Sequence, residues 1–135
     1  MNKNDLKGVF PAIVTPFDDD EQLDESALRA VTEYVVDNGV HAIMTTGGTG
    51  EFPQLNREER RRVTQIVVES AEGRVPIIAG TAACSTREVI ELTEDAAEVG
   101  ASATITTPPF YFVVPDESLY QHFFELAKNS PIPVV

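Results

Sequence analysis

The stretch Gly39-Val40-His41-Ala42-Ile43-Met44-Thr45-Thr46-Gly47-Gly48-Thr49-Gly50-Glu51 holds a helix stop, a short apolar strand and a glycine-rich loop in direct succession. Gly39 follows apolar residues at helical spacing, Leu28, Val31 and Val35, and stands where a glycine ends a helix. Residues 42–46 are short, apolar and β-branched, and read as a strand. Gly47, Gly48 and Gly50 then let the backbone turn sharply.

The same succession recurs on both sides. Gly73 and Gly100 also stop helices, and strands are expected after them at residues 75–80 and 103–107. A first strand is expected at residues 9–15. Val63, Ile66 and Val67 mark a second helix, Val89, Leu92 and Ala96 a third, and Leu119, Phe123 and Leu126 a fourth. Asn56 with Glu59, and Ser85 with Glu88, have the chemistry of a capping box. The strands are nearly all apolar, as parallel strands covered by helices must be.

Alternating strands and helices imply an α/β fold with a parallel sheet. A doubly wound dinucleotide-binding sheet wants Gly-x-Gly-x-x-Gly after its first strand, whereas that turn reads Thr15-Pro16-Phe17-Asp18. A TIM (β/α)8 barrel is therefore the expected class. Eight βα units need roughly 250 residues. The chain has 135, which accommodates four units, and Ile132-Pro133-Val134-Val135 then reads as the start of strand five. Residues 1–135 are thus expected to be the N-terminal half of a single barrel domain, a fragment.

The charge is −12, from 22 acidic and 10 basic residues. Nucleic-acid binding and anionic membrane surfaces both need a basic face, so neither is expected. Only Lys3, Lys7 and Lys128 are lysines, a balance that suits a salty cytoplasm or an ordinary acidic enzyme. Cys84 is the one cysteine, so no internal disulfide forms and a reducing, cytoplasmic setting is expected. No apolar run is long enough for a membrane span, and the polar N-terminus lacks the apolar core of a signal peptide.

In barrels the chemistry lies at the C-terminal ends of the strands. Those ends carry a hydroxyl each time, Thr15, Thr45 and Thr46, Thr81, Thr106 and Thr107, although threonine also suits strands for structural reasons. The N–H groups of a Gly47–Glu51 loop can converge on an anion. No Gly-Lys-Ser/Thr follows, so a small carboxylate suits the loop better than a triphosphate. Gly48, Thr49 and Gly50 are the expected carboxylate-binding residues, with Thr49 a hydroxyl donor or proton relay; a plain strand-to-helix loop is the alternative. Tyr111 is either a proton relay or an aromatic packed under a loop or at a subunit contact, and the apolar run at residues 110–114 points to a partner subunit. His41, His122 and Cys84 have no evident catalytic partners, and no metal-ligand set emerges. Asp18-Asp19-Asp20-Glu21 lacks calcium-loop spacing and reads as a solvated turn.

Five motifs in order, Ala12-Ile13-Val14-Thr15-Pro16-Phe17, Gly48-Thr49-Gly50-Glu51, Ile77-Ile78-Ala79-Gly80-Thr81, Thr107-Pro108-Pro109-Phe110-Tyr111 and Leu119-Tyr120-Gln121-His122-Phe123, resemble the dihydrodipicolinate synthase and N-acetylneuraminate lyase family. The resemblance implies a lyase or synthase that forms a Schiff base between a strand-six lysine and pyruvate or a related 2-oxo acid. It implies no metal or organic cofactor, and a homodimer or homotetramer when full length. By position, Gly48, Thr49 and Gly50 match the loop that holds the substrate carboxylate, and Tyr111 matches a tyrosine lent across a tight dimer. The strand-five tyrosine and the lysine would follow Val135, so the 135-residue chain alone is expected to be inactive. Gly48-Thr49 departs from the Thr-Thr usual in dihydrodipicolinate synthases. Gly47-Gly48-Thr49-Gly50-Glu51-Phe52 looks more like the 5-dehydro-4-deoxyglucarate dehydratases, and residues 108–114 more like the lyases and 2-keto-3-deoxy sugar acid aldolases. A non-catalytic truncated remnant is the alternative of another class.

Overall fold

The computed structural model describes residues 7–135; Lys3 and most of the polar N-terminal stretch lie outside them. The elements are α1 (Glu25–Asp37), β1 (Ile43–Thr45), a 3-10 turn (Phe52–Gln54), α2 (Arg57–Ala71), β2 (Ile77–Gly80), α3 (Thr86–Glu98), β3 (Ala103–Ile105) and α4 (Asp116–Asn129). The strands form one parallel sheet in the order β1-β2-β3, with Met44 beside Ile78 and Ile78 beside Ala103.

The helix ends follow the local chemistry. Gly39, Gly73 and Gly100 have φ of +79°, +72° and +95°, a left-handed conformation open to glycine at little cost. Asn56 and Glu59 form a complete capping box at the start of α2, closing two orphaned N–H groups. At α3 the expectation is half met: the Ser85 hydroxyl accepts from Glu88 N–H, and no reciprocal bond forms.

The outer strands are less regular than their sequence suggests. Residues 9–15 make a single parallel bridge, Ala12 to Met44, with Ile13 N–H donating to Met44 O and Met44 N–H to Pro11 O. Pro11 has no N–H, so the ladder cannot run through it. Likewise Thr104 bridges Val134, flanked by Thr104 N–H donating to Pro133 O and Val135 N–H to Thr104 O. The sheet is thus three strands with a bridged segment on each edge.

Helices pack in sequence, α1 on α2, α2 on α3 and α3 on α4. Leu28 of α1, Val63, Ile66 and Val67 of α2, and the strand residues Ile43 and Ile77 bury together as one core. The strand residues between them, Ala42, Ile78 and Ala103, cluster separately with Phe10 and Ile105, as the period-two alternation of strands requires. Strand order follows chain order and neighbouring helices follow it too. A doubly wound sheet would reverse its strand order and divide its helices between two faces. The α/β unit is consistent with part of a barrel.

His122 fastens α4 to α3. Its ring is buried, Nδ1 lies 2.9 Å from the Thr86 hydroxyl, and Nε2 has no partner among the described residues. Burial holds the imidazole below its ordinary value of 6.5. A histidine neutral in the fold and chargeable when unfolded favours unfolding as pH falls below its unfolded pKa. Melting temperature is therefore expected to fall between pH 7 and 5, and His122→Gln to flatten that slope. An identical slope in the two proteins would show that His122 does not contribute it.

Candidate active site

β1 ends in a strained turn. Thr46 has φ of +48° and Glu51 has φ of +54°, both in the left-handed region that non-glycine residues seldom adopt. The positive φ values fall on the residues flanking the glycines. Gly50 serves a different need: a Cβ there would come within 3.2 Å of Ile13 O and 3.3 Å of Thr15 Oγ1, which itself donates to Gly50 O at 2.8 Å.

Gly80 is the tightest position. A Cβ on it would lie 2.3 Å from Thr46 O and 2.9 Å from Thr45 O, closer than any real contact. Across this gap the Thr46 hydroxyl donates to Gly80 O at 2.9 Å. The end of β1 is thereby clamped to the end of β2. Other buried hydroxyls pair behind them: Thr45 with Thr64 at 3.2 Å, and Thr81 with Thr104 at 2.5 Å, with Thr93 donating to Thr81. Much of the threonine content at the strand ends thus serves to join strand to strand and strand to helix.

A cleft of about 110 Å³ opens at the C-terminal ends of the three strands. It is lined by Thr46, Gly47 and Gly48 at the end of β1, by Gly80 and Ala82 at and beyond the end of β2, by Thr106 and Thr107 beyond β3, and by Phe52 of the 3-10 turn. Of the expected site residues, Gly48 lines this cleft and Gly50 is buried beneath the loop. Thr49 is exposed and lies outside the lining. Tyr111 is 89% exposed, holds φ of +79°, and touches Phe112 edge to face at 4.8 Å. The fold therefore brings the glycine loop and the β3 end to one cleft, while Tyr111 is exposed and is not part of its lining. Cys84 is exposed, with Sγ 3.6 Å from Phe110 O, and His41 accepts a bond from Val9 N–H. Among the described residues no group of His, Cys, Asp and Glu is placed to hold a metal ion, and no helix is long and apolar enough to cross a membrane. Lys7 and Lys128 are exposed and neither lines the cleft.

Arg60 escaped the reading of the sequence. It is only 7% exposed, donates to Gly80 O at 2.9 Å and Ala82 O at 3.0 Å, and stands 5.3 Å from the Phe52 ring centre. Burial lowers the guanidinium to about 10, with Glu88 acting against it, so it stays charged at neutral pH. The signal lay in the spacing: Arg60 falls on the same face of α2 as Val63, Thr64, Val67 and Ala71, all buried.

A parallel βα unit with a glycine-walled cleft at its strand ends can hold a small anion by backbone N–H groups. Residues 5–135 match the model of the Dihydrodipicolinate synthetase family. The chain belongs to this family. It is 43% identical over 130 residues to a 4-hydroxy-tetrahydrodipicolinate synthase from Methanothrix thermoacetophila, covering 96% of this chain and 43% of that protein. The crystal structure of dihydrodipicolinate synthase from Aquifex aeolicus superposes with a TM-score of 0.92 at 39% identity, over 96% of this chain and 44% of that one. A prophage protein of the dihydrodipicolinic acid synthase family from E. coli K12, solved in complex with pyruvate, gives a TM-score of 0.92 at 32% identity, over 96% and 43%. The chain spans less than half the length of these relatives. Family membership places the chain among lyase and synthase sequences, on a fold whose solved members are TIM barrels.

Gly80→Ala tests the clamp. The added methyl meets backbone rather than a flexible side chain, and the strands must separate to admit it. A loss of about 3 kcal/mol in unfolding free energy is expected by denaturant titration. A loss below about 1 kcal/mol would show that β1 and β2 part easily at this end.

Proposed function

We propose that this chain is the N-terminal half of a (β/α)8 barrel, comprising its first four βα units and the start of strand five. The complete barrel acts on pyruvate or a related 2-oxo acid through a Schiff base, in the manner of 4-hydroxy-tetrahydrodipicolinate synthase. The observation that carries this reading is the cleft. In a family member about 40% identical to such synthases, it is walled by Gly47 and Gly48 at the strand ends. No metal or organic cofactor takes part, and the enzyme works in the cytoplasm as a homodimer or homotetramer.

In this reading the substrate carboxylate is received by N–H groups of the loop Gly48, Thr49 and Gly50, of which Gly48 lines the cleft, and the Thr49 hydroxyl, outside the lining in this half, adds a donor or relays a proton once the barrel is complete. Tyr111 serves the site of a neighbouring subunit. Its outward position and the exposed run of Phe110, Phe112 and Val113 suit that role. The imine lysine belongs to the other half of the barrel. A second reading, dehydration or cleavage of a keto-deoxy sugar acid, is favoured by one residue: Gly48 supplies no hydroxyl where dihydrodipicolinate synthases usually have threonine.

Two outcomes are expected. The 135-residue polypeptide, treated with pyruvate and borohydride, gains no adduct, because Schiff-base chemistry needs a buried lysine of lowered pKa and Lys7 and Lys128 are exposed. A stoichiometric mass increase at one lysine would overturn this. In the full-length enzyme Thr49→Val removes the hydroxyl at nearly constant volume. One hydrogen bond to a charged group is worth about 1.5–3 kcal/mol, so catalytic efficiency falls roughly ten- to a hundredfold with melting temperature little changed. Wild-type efficiency in the variant would make Thr49 a plain loop residue.

A further inference from the structure

Arg60 is the only arginine among the described residues that lies in the core rather than on the surface. In every salt bridge formed by the other arginines the arginine side chain is more than a third exposed, and none of the bridges includes Arg60. Its two terminal nitrogens divide between the carbonyls of Gly80 and Ala82, at the end of β2 and in the loop beyond it. Gly80 O also accepts the Thr46 hydroxyl, so the fork reaches the strained start of the glycine loop through one shared oxygen. Above the guanidinium stands Phe52, and Phe52 meets Phe110 edge to face at 5.7 Å, next to Tyr111. Gly80, Ala82 and Phe52 all line the cleft.

A buried charge without a carboxylate partner is costly to desolvate. A core position that needed only volume would be filled more favourably by methionine or leucine. What the guanidinium supplies is a planar, rigid set of donors that fixes two carbonyls at a set separation while its face attracts an aromatic ring.

We propose that Arg60 is a positioning residue that sets the cleft: its fork holds Gly80 and Ala82, and through them Thr46, while its face holds Phe52 and thus Phe110. The proposal rests on reading the cleft as the 2-oxo-acid site. Arg60 does not touch the substrate; it fixes the backbone that does. Loss of the fork raises KM for the 2-oxo acid and leaves the chemical step nearly intact.

The experiment compares wild type, Arg60→Met, Arg60→Lys and Phe52→Leu in the full-length polypeptide, by amide hydrogen exchange and by steady-state kinetics in pyruvate. Arg60→Met is expected to speed exchange about tenfold in residues 46–52 and 80–84, with α1 and α4 unchanged. KM for pyruvate rises about tenfold, with kcat within about twofold. Arg60→Lys recovers less than half of the loss, because one ammonium cannot serve both carbonyls in a plane. Exchange that stays at wild-type rates, or rises evenly along the chain, overturns the proposal. So does full recovery by lysine, or a fall in kcat at constant KM. If Arg60→Met does not fold, Phe52→Leu decides: exchange should rise in residues 108–113 alone, and unchanged exchange there refutes the link. If wild type traps no pyruvate adduct with borohydride, the functional reading fails on its own, and the exchange comparison still judges Arg60.

Discussion

One carbonyl oxygen, that of Gly80, accepts two donors, and the arrangement of the strand ends depends on it. The Thr46 hydroxyl reaches it from the end of β1 and the Arg60 guanidinium from α2. The Thr46 hydroxyl could not do so in this geometry if residue 80 carried a side chain, because the Thr46 backbone occupies the space a Cβ would take. The left-handed turn at Thr46 costs on the order of 1 kcal/mol, and the hydroxyl bond returns a similar amount. The strain is held in place by a bond that exists only when β1 and β2 are side by side. Sheet formation and loop shape are therefore one event.

Around this point the charges are sorted by helix. α2 carries Arg57, Arg60, Arg61 and Arg62, and the helices beside it supply acids. Arg62 pairs with Glu25 of α1, and Arg29 of α1 with Glu69 of α2. On the other side Arg57 pairs with Glu91 and Asp95, and Arg61 with Glu98, all of α3. Exposed pairs of this kind contribute about 0–1 kcal/mol each. Their larger effect is on order: a central basic helix flanked by acidic ones matches one sequence of neighbours and disfavours others. The same sorting lets a chain of net charge −12 pack α1, α2 and α3 side by side.

Much of the fold could be read directly. Glycines at 39, 73 and 100 and the Asn56–Glu59 pair each specify a helix end by local chemistry, and local chemistry is visible in a single sequence. The ladders were overestimated where a proline interrupts them, at Pro11 and Pro133. Apolar character marks a strand, but a missing N–H limits its pairing. The site was legible as a place rather than as a set of contacts. The glycine loop and the β3 end do meet at a cleft, yet the sequence could not say that Thr49 stands outside its lining while Thr46, taken as a strand residue, holds the strain. Nor did it single out Arg60. A charged residue on an apolar helical stripe is usually solvated, and only the pairing with two carbonyls on another strand end makes burial tolerable. That partner lies 20 residues away in sequence.

The cleft has a firm wall, and a loosely held segment lies beyond its lining. At the wall, Gly80, Ala82, Thr46 and Arg60 lock together through three hydrogen bonds whose partners are buried. Beyond the lining, residues 110–113 expose three aromatic rings and a valine, and Tyr111 stands in a left-handed conformation with Phe112 as its ring partner. Among the described residues, Phe110 ties this segment inward, through Phe52 to Arg60. A left-handed tyrosine persists when its surroundings over-determine it, and among the described residues the Tyr111 ring meets Phe112 edge to face and is otherwise largely exposed. Order at this end of the sheet therefore comes from buried polar atoms at the end of β1, the end of β2 and α2, and the exposed run beyond β3 adds little to it.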